Sequence, residues 1–365
     1  MLVEATDFVV IVAGTDCSVR FASRLISCDV MDNSGETADT CRINLDDTGG
    51  IIVMPQEGAP VVVSFNGVQA FDGIVDDVRS VYDRGSGRRL EIDAKSADMK
   101  GKQKSPKRKH WDDKSVGDAM KDAAKDGGFD LTVAPRIAGI KRKYIAQDGE
   151  SPLHFITRMS SETGGTFKMI GGKRGVVLDR NQGQTAGSGL SIGMVLAMAG
   201  ANLITANISP ILTRPRYKEV RGRWYDVKAA KWKEEVVQVE GIQSADGSAS
   251  LRHSKTDADE AKETGKSSGK ESARNKGAGS VIIDGDATAR AEGQCTVIGV
   301  RPGVDGTYTI DRAEHNLERG SGFQSTLTLK KPEDAKDDRG KGKTAASTNG
   351  AAQQSIPYQP LFSRS

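Results

Sequence analysis

The chain is short of the residues that most chemistry needs. Its four cysteines, Cys17, Cys28, Cys41 and Cys295, are scattered over 365 residues and lack the close spacing of zinc or redox sites. Three lie in strand-like text, where a free cysteine packs as a small hydrophobe. Its four histidines, His110, His154, His253 and His315, join no His-Glu-x-x-His pattern, and no Gly-x-Ser-x-Gly elbow is present. Aromatic residues make up 5% of the chain, too few to advertise a long stacking surface. The longest apolar stretch, Ile192 to Ala201, is about half of the ~20 residues a membrane span needs and contains Gly193 and Gly200. Glu4 and Asp7 interrupt the start of the chain, so neither a secretory signal nor membrane insertion is expected. The formal net charge is +3, which does not call for nucleic acid.

What is present is mostly strand text. Cys41, Ile43 and Leu45 alternate with polar neighbours, as do Leu90, Ile92 and Ala94. Period two marks a sheet with one buried face. Val61 to Phe65, then Asn66-Gly67, then Val68 onward predicts a hairpin with a type I′ turn. Further strands are expected at Phe8–Val12, Ile26–Met31 and Phe71–Val78, so residues 1–98 read as a small barrel or sandwich.

The text changes at Lys100, Lys102, Lys104, Lys107, Arg108 and Lys109, a basic run broken by Pro106. After it, Val116, Ala119, Met120, Ala123 and Ala124 fall on one helical face, capped by Ser115 and stopped by Gly127-Gly128. A second helix starts at Ser151-Pro152 and carries Leu153, Ile156, Met159 and Thr163, with Phe155 beside them, up to Gly164-Gly165. A hairpin around Gly171-Gly172 completes an α+β unit over 99–180. Residues 181–216 read as a connector with return strands. From Tyr217 strand text resumes, with Trp224 and Trp232 flanking a turn, and a polar stretch from Asp257 to Lys276 admits a surface helix with a thin apolar stripe. Strands return at Val281–Ile283, Thr296–Val300, Thr307–Ile310 and from Phe323 to Leu329, giving a second β unit over 217–331. Residues 332–365 are nearly devoid of apolar side chains and read as a flexible tail.

Three segments in this order resemble the late-control D family of phage tail hub proteins, which is related to the amino-terminal part of type VI valine-glycine-repeat spike proteins. The first is Phe71-Asp72-Gly73-Ile74-Val75. The second is Gln147-Asp148-Gly149-Glu150-Ser151-Pro152, with the helix carrying Phe155 to Met159. The third runs from Val300 through Gly303, Gly306 and His315 to Gly322-Phe323. Thr157 stands where the family often has an apolar residue. The match spans 61–331; residues 1–60 fit only as β, and 181–215 and 332–365 are not covered. The resemblance implies two small tail-tube-like β-barrels in one chain with an inserted α+β domain. It also implies a structural hub: a homotrimer joining a sixfold tail tube protein to a threefold central spike protein. Such a hub would contact baseplate wedge proteins and the tape measure protein, with nucleic acid only passing through its channel. It would sit in the virion tail baseplate after assembly in the host bacterial cytoplasm.

The motif residues have architectural readings: Glu150 at the helix start favours the dipole, Ser151 caps, and Gly73, Gly303 and Gly306 permit turns or close approach. No cofactor or metal is expected. The alternative is a tail-associated wall-degrading enzyme. Asp76-Asp77 and Glu234-Glu235 are its candidate carboxylates, but neighbours on a strand point to opposite faces. The run Lys104, Lys107, Arg108 and Lys109 is a candidate docking patch, read as a solvated loop or a contact for an acidic partner. It lacks interleaved aromatics for stacking bases.

Overall fold

The computed structural model describes residues 6–34, 37–85, 87–97, 101–170, 173–180, 184–185, 191–192, 194–209, 217–226, 228–239, 247–274 and 278–330. Gly171-Gly172 and the expected tail at 332–365 lie outside these. The opening β text forms β1 (Phe8–Val12), β2 (Thr15–Asp16), a short helix α1 (Ser18–Ala22), β3 (Leu25–Asn33), β4 (Thr40–Asp46), β5 (Pro60–Phe65), β6 (Val68–Asp83) and β7 (Gly87–Lys95). Alternation holds: Cys41, Ile43, Leu45, Leu90, Ile92 and Ala94 are all buried on one face. Asn66 and Gly67 take φ of 51° and 76°, the positive pair that a type I′ hairpin requires.

The insertion comprises β8 (Lys107–Ser115), α2 (Val116–Gly127), β9 (Asp130–Val133), α3 (Pro135–Ala138), β10 (Lys141–Glu150), α4 (Pro152–Glu162), β11 (Gly165–Ile170) and β12 (Arg174–Asp179). Ser115 Oγ accepts the Asp118 amide at 3.1 Å, and Gly128 ends α2 in the left-handed region. Trp111, Met120, Phe155, Ile156 and Phe167 fill a core of its own. Lys107 to Lys109 do not form a loop. They open β8, which pairs antiparallel with β10.

The return half contains β13 (Gln184–Thr185), β14 (Ser191–Ile192), β15 (Met194–Met198), β16 (Leu203–Ser209), β17 (Tyr217–Asp226), β18 (Lys231–Gln238), β19 (Gly247–Ser250), α5 (Ala258–Arg274), β20 (Ala278–Asp284), β21 (Gln294–Ile298), β22 (Gly306–Glu318) and β23 (Gly322–Lys330). Helix α5 packs on the β17–β18 hairpin through small residues. A Cβ on Gly265 would stand 2.9 Å from Val237, and one on Gly269 3.0 Å from Val239. Its stripe is thin because the sheet comes so close.

The fold is mainly β with an α+β insertion, and one long sheet runs through both β units. Its order is β16-β20-β23-β22-β3-β4-β7-β6-β5-β1-β2, with β21 on β22 and β15 on β21. The link between units is β22 against β3, from Arg312↔Asn33 to Glu318↔Ser27. The sheet wraps two apolar cores, one under β1–β7 and one under β15, β16 and β20–β23. No closed barrel is formed among the described residues, where two had been expected. The edge of β3 that could close the first is taken by β22. The edge of β1 is capped by α1, where Ser18 Oγ accepts the Val10 amide at 3.0 Å.

Candidate functional site

Because side chains alternate along strands, the long sheet has a second face. Across β22, β3, β4 and β7 the register aligns Glu314 with Met31 and Thr40, and Asn316 with Asp29, Arg42 and Asp93. Asp93 lies opposite Asp77, and Glu91 opposite Arg79, on β6. Toward the other end the same face continues through Thr326 and Thr328 on β23, Ser280 on β20, and Thr205 and Asn207 on β16. This single polar face thus crosses both β units. Short ion pairs cross it: Arg42–Asp93 at 2.7 Å, Arg79–Asp93 at 2.9 Å and Lys95–Asp76 at 2.7 Å. A concavity of about 660 Å³ lies over it between Asp29, Arg42, Asp77, Arg79 and Glu314.

Behind that face lies a buried ionic junction. Lys168 on β11 contacts Asp32 on β3 and stands 3.4 Å from Asp39. Arg290, before β21, stands 3.7 Å from Asp32 and donates to the Ala70 carbonyl at 2.9 Å. Three stretches of chain therefore meet around two carboxylates and two cations. Burial pushes Asp39 up to about 7, with Lys168 only partly offsetting it. His315 is beside them. Its Nε2 donates to the Ala289 carbonyl at 3.0 Å and its Nδ1 accepts from Ser325 at 2.9 Å. Burial, with Arg290 nearby, holds it down at about 4, so it is neutral near pH 7.

A second network fastens the insertion to α5. Arg142 pairs with Glu162 at 2.8 Å and Glu260 at 3.1 Å, and Lys255 with Glu162 at 3.0 Å. Burial alone would raise Glu162; Lys255, Arg142 and Arg158 hold it down at about 2 instead.

The quoted motif residues are spread over these joints. Phe71 and Val75 are buried in the first core. A Cβ on Gly73 would fall 2.4 Å from the Lys95 carbonyl, which is a close approach and not a turn. Gln147 Nε2 donates to the Glu150 carbonyl at 2.8 Å. The Glu150 carboxylate receives Arg158 in two hydrogen bonds of 2.8 and 2.9 Å, and Ser151 caps α4. Gly303 and Gly306 have φ of 86° and 152° and flank Asp305, whose carboxylate accepts the Gly299, Val300 and Arg301 amides. Gly322 opens β23 with φ of 79°. Phe323 reaches back into the first core, its ring 4.6 Å from that of Phe65.

In the basic run, Lys107 and Lys109 turn onto α2, with Lys109 2.7 Å from Asp122 and 3.2 Å from Asp126. Arg108 faces the other way, exposed with Asp148, and Lys104 lines a cavity of about 170 Å³ beside Ser151 and Phe167. Sequence reasoning missed Asp32, Asp39, Lys168 and Arg290. Lys168 alone carried a signal, a charge inside strand text.

None of this resembles a reacting constellation. Ser325 and His315 form the one serine–histidine hydrogen bond between side chains among those described, and both are buried. Asp76 is paired with Lys95, and Asp77 with Arg79. Among the described residues no group of three or more His, Cys, Asp or Glu is placed to hold a metal ion.

The sequence profile of the phage tail baseplate hub family (GPD) matches residues 48–321. The chain belongs to this family. Two probable baseplate hub proteins are similar in sequence, from Escherichia phages P2 and 186. The first is 31% identical over 62% of this chain and 58% of its own length; the second is 33% identical over 46% and 44%. This hub therefore spans about half the length of those curated relatives in the matched regions. In fold it is similar to the 43 kDa tail protein of prophage MuSo2 from Shewanella oneidensis. That structure has a TM-score of 0.69 at 16% identity, covering 90% of this chain and 99% of the other. A component of the E. coli type VI secretion system is also similar, with a TM-score of 0.55 at 11% identity, covering 85% and 73%.

Proposed function

We propose that the hub assembles as a homotrimer that joins the sixfold tail tube protein to the threefold central spike protein, with the polar sheet face lining the axial channel. The observation that carries this reading is the β3–β22 pairing, which makes one face out of two β units. Two units side by side in each of three subunits present six similar modules to a sixfold tube. The core occupies the other face of the sheet, so the polar face is the broad one left for solvent. Eight strands per copy line it, from β16 to β6. In a ring of three, about 24 strands at ~4.8 Å spacing give a backbone diameter of ~37 Å before strand tilt widens it.

The chemistry of the face suits passage. Its cations Arg42, Arg79, Lys95 and Arg312 are each paired with a carboxylate of the same face, on Asp93, Asp76 and Glu314. A phosphate backbone finds little to bind there. The tape measure protein and nucleic acid would pass through, and baseplate wedge proteins would contact the outside. Assembly in the host cytoplasm follows from this role. Co-expression with the tube and spike proteins of one particle tests it by native mass spectrometry. A complex with three hub copies is expected; a complex with one or six copies would contradict it.

A further inference from the structure

We infer that neighbouring copies of the hub join head to tail through two apolar patches: Ile51, Val53 and Met54 of one copy seat on Met194, Leu196 and Ile204 of the next. This rests on the trimer reading and assigns its contact surfaces. Each patch lies beside a strand edge that has no partner among the described residues. On β6, strand β5 pairs only as far as Ile74, while β7 pairs on the opposite edge through Asp83. The stretch from Asp77 to Tyr82 is therefore open on one side. At the other end of the same polar face, β16 pairs only with β20, and its outer edge is open beyond Leu203.

The loop carrying the first patch ends on the edge of β6 just before that open stretch. It begins on the β4 side of β7, where the Asp47 amide donates to the Arg88 carbonyl at 3.1 Å. It ends where Gly58 donates to Val75 and Val75 to Ala59, at 2.8 and 2.9 Å. Between these anchors Ile52 packs on the core, and its amide donates to the buried Asp47 carboxylate at 3.1 Å. Ile51, Val53 and Met54 are left 66%, 89% and 52% exposed. An apolar tip on an anchored loop loses little entropy when it is covered.

The second patch has the same logic. On β15, Val195 and Ala197 point into the core, while Met194 and Leu196 stand 66% and 45% exposed. Ile204 follows on β16 at 50%, one turn after β15 ends. Open edges flanked by apolar side chains are templates for pairing, and here each β unit carries one. Like-to-like pairing would cover only one type of patch per contact. Head-to-tail pairing covers both and closes into a ring with no edge left over. A second copy is thus the occupant that satisfies all four features at once.

Single-cysteine variants Met54→Cys and Leu196→Cys of the full chain, tagged to differ in mass and co-expressed, provide the test with a short bis-maleimide linker. Wild-type protein controls for Cys17. Cross-links between the two variants are expected, with none within either variant expressed alone. Cross-links within one variant, or a trimer by mass with no mixed cross-link, would overturn the assignment while leaving the trimer standing. A chain that stays monomeric both free and with its tube and spike partners would overturn the trimer reading itself. Leu196→Glu, at an exposed position, should leave the circular dichroism spectrum unchanged and weaken association at least about tenfold, or ~1.4 kcal/mol.

Discussion

Lys168 lies in sequence that reads as one strand of an ordinary hairpin, yet its ammonium is buried against Asp32, 136 residues away. No local pattern could announce this, because the partners come from other stretches of chain. Lys168→Met leaves Asp32 without its main partner, and a buried unpaired charge costs about 3–5 kcal/mol. Denaturant unfolding should show a loss of that size. The same junction has a pH signature. Asp39, raised from 3.8 to about 7, contributes stability that declines as pH rises through that interval. His315, lowered from 6.5 to about 4, contributes stability that declines as pH falls through its own interval. Each slope is about 1.4 kcal/mol per pH unit, and they oppose each other between about pH 4 and 6.5. Asp39→Asn removes the first, so its stability should climb with pH across that window, while the native protein stays nearly flat. A flat profile in the variant would contradict this. Gly306, expected as a turn glycine, opens β22 with a φ of 152°, a conformation glycine adopts readily. Gly306→Val should cost about 1–3 kcal/mol from backbone strain and lower the melting temperature.

At the scale of elements, sequence reasoning did best where signals are local. The Asn66-Gly67 hairpin and the Ser115-capped α2 need only neighbouring residues. It did worst where the partner is remote or the code is small. Val195 and Ala197 of β15 sat in the apolar stretch Ile192 to Ala201, within text read as a connector with return strands, and the remote partner of that strand is the parallel edge of β21. Helix α5 looked weak because apolar periodicity does not count glycine, although Gly265 and Gly269 are what let it touch Val237 and Val239. Gly265→Leu should push α5 off the β17–β18 hairpin and speed proteolysis there, whereas a change at exposed Lys262 should not. The basic run shows the opposite failure. Lys107 and Lys109 look like a docking patch until Asp122 and Asp126, one helical turn apart on α2, are placed beneath them. At α4, Ser151→Ala should cost about 1 kcal/mol through loss of the N-cap, read as a lower denaturation midpoint.

For the whole molecule, the resemblance of scattered motifs named the family correctly, but the decisive joint was invisible in any one of them. Leu317 and Phe323 look like ordinary strand residues of the second β unit, yet they pack on the core of the first while β22 pairs with β3 alongside. That joint converts two β units into one polar face, on which the functional account rests. Of the candidate carboxylates for wall degradation, Asp76 is paired with Lys95 and Asp77 with Arg79, and purified hub should clear peptidoglycan no faster than a heat-treated control. The central claim is that this face lines the axis of a threefold hub, and a reconstruction of the assembled tail tip measures it most directly. Three copies are expected around the axis, each placing both β units in the ring with Asp29, Arg42, Asp93 and Glu314 toward the channel. Six copies, three copies contributing one β unit each, or a polar face turned outward would contradict it.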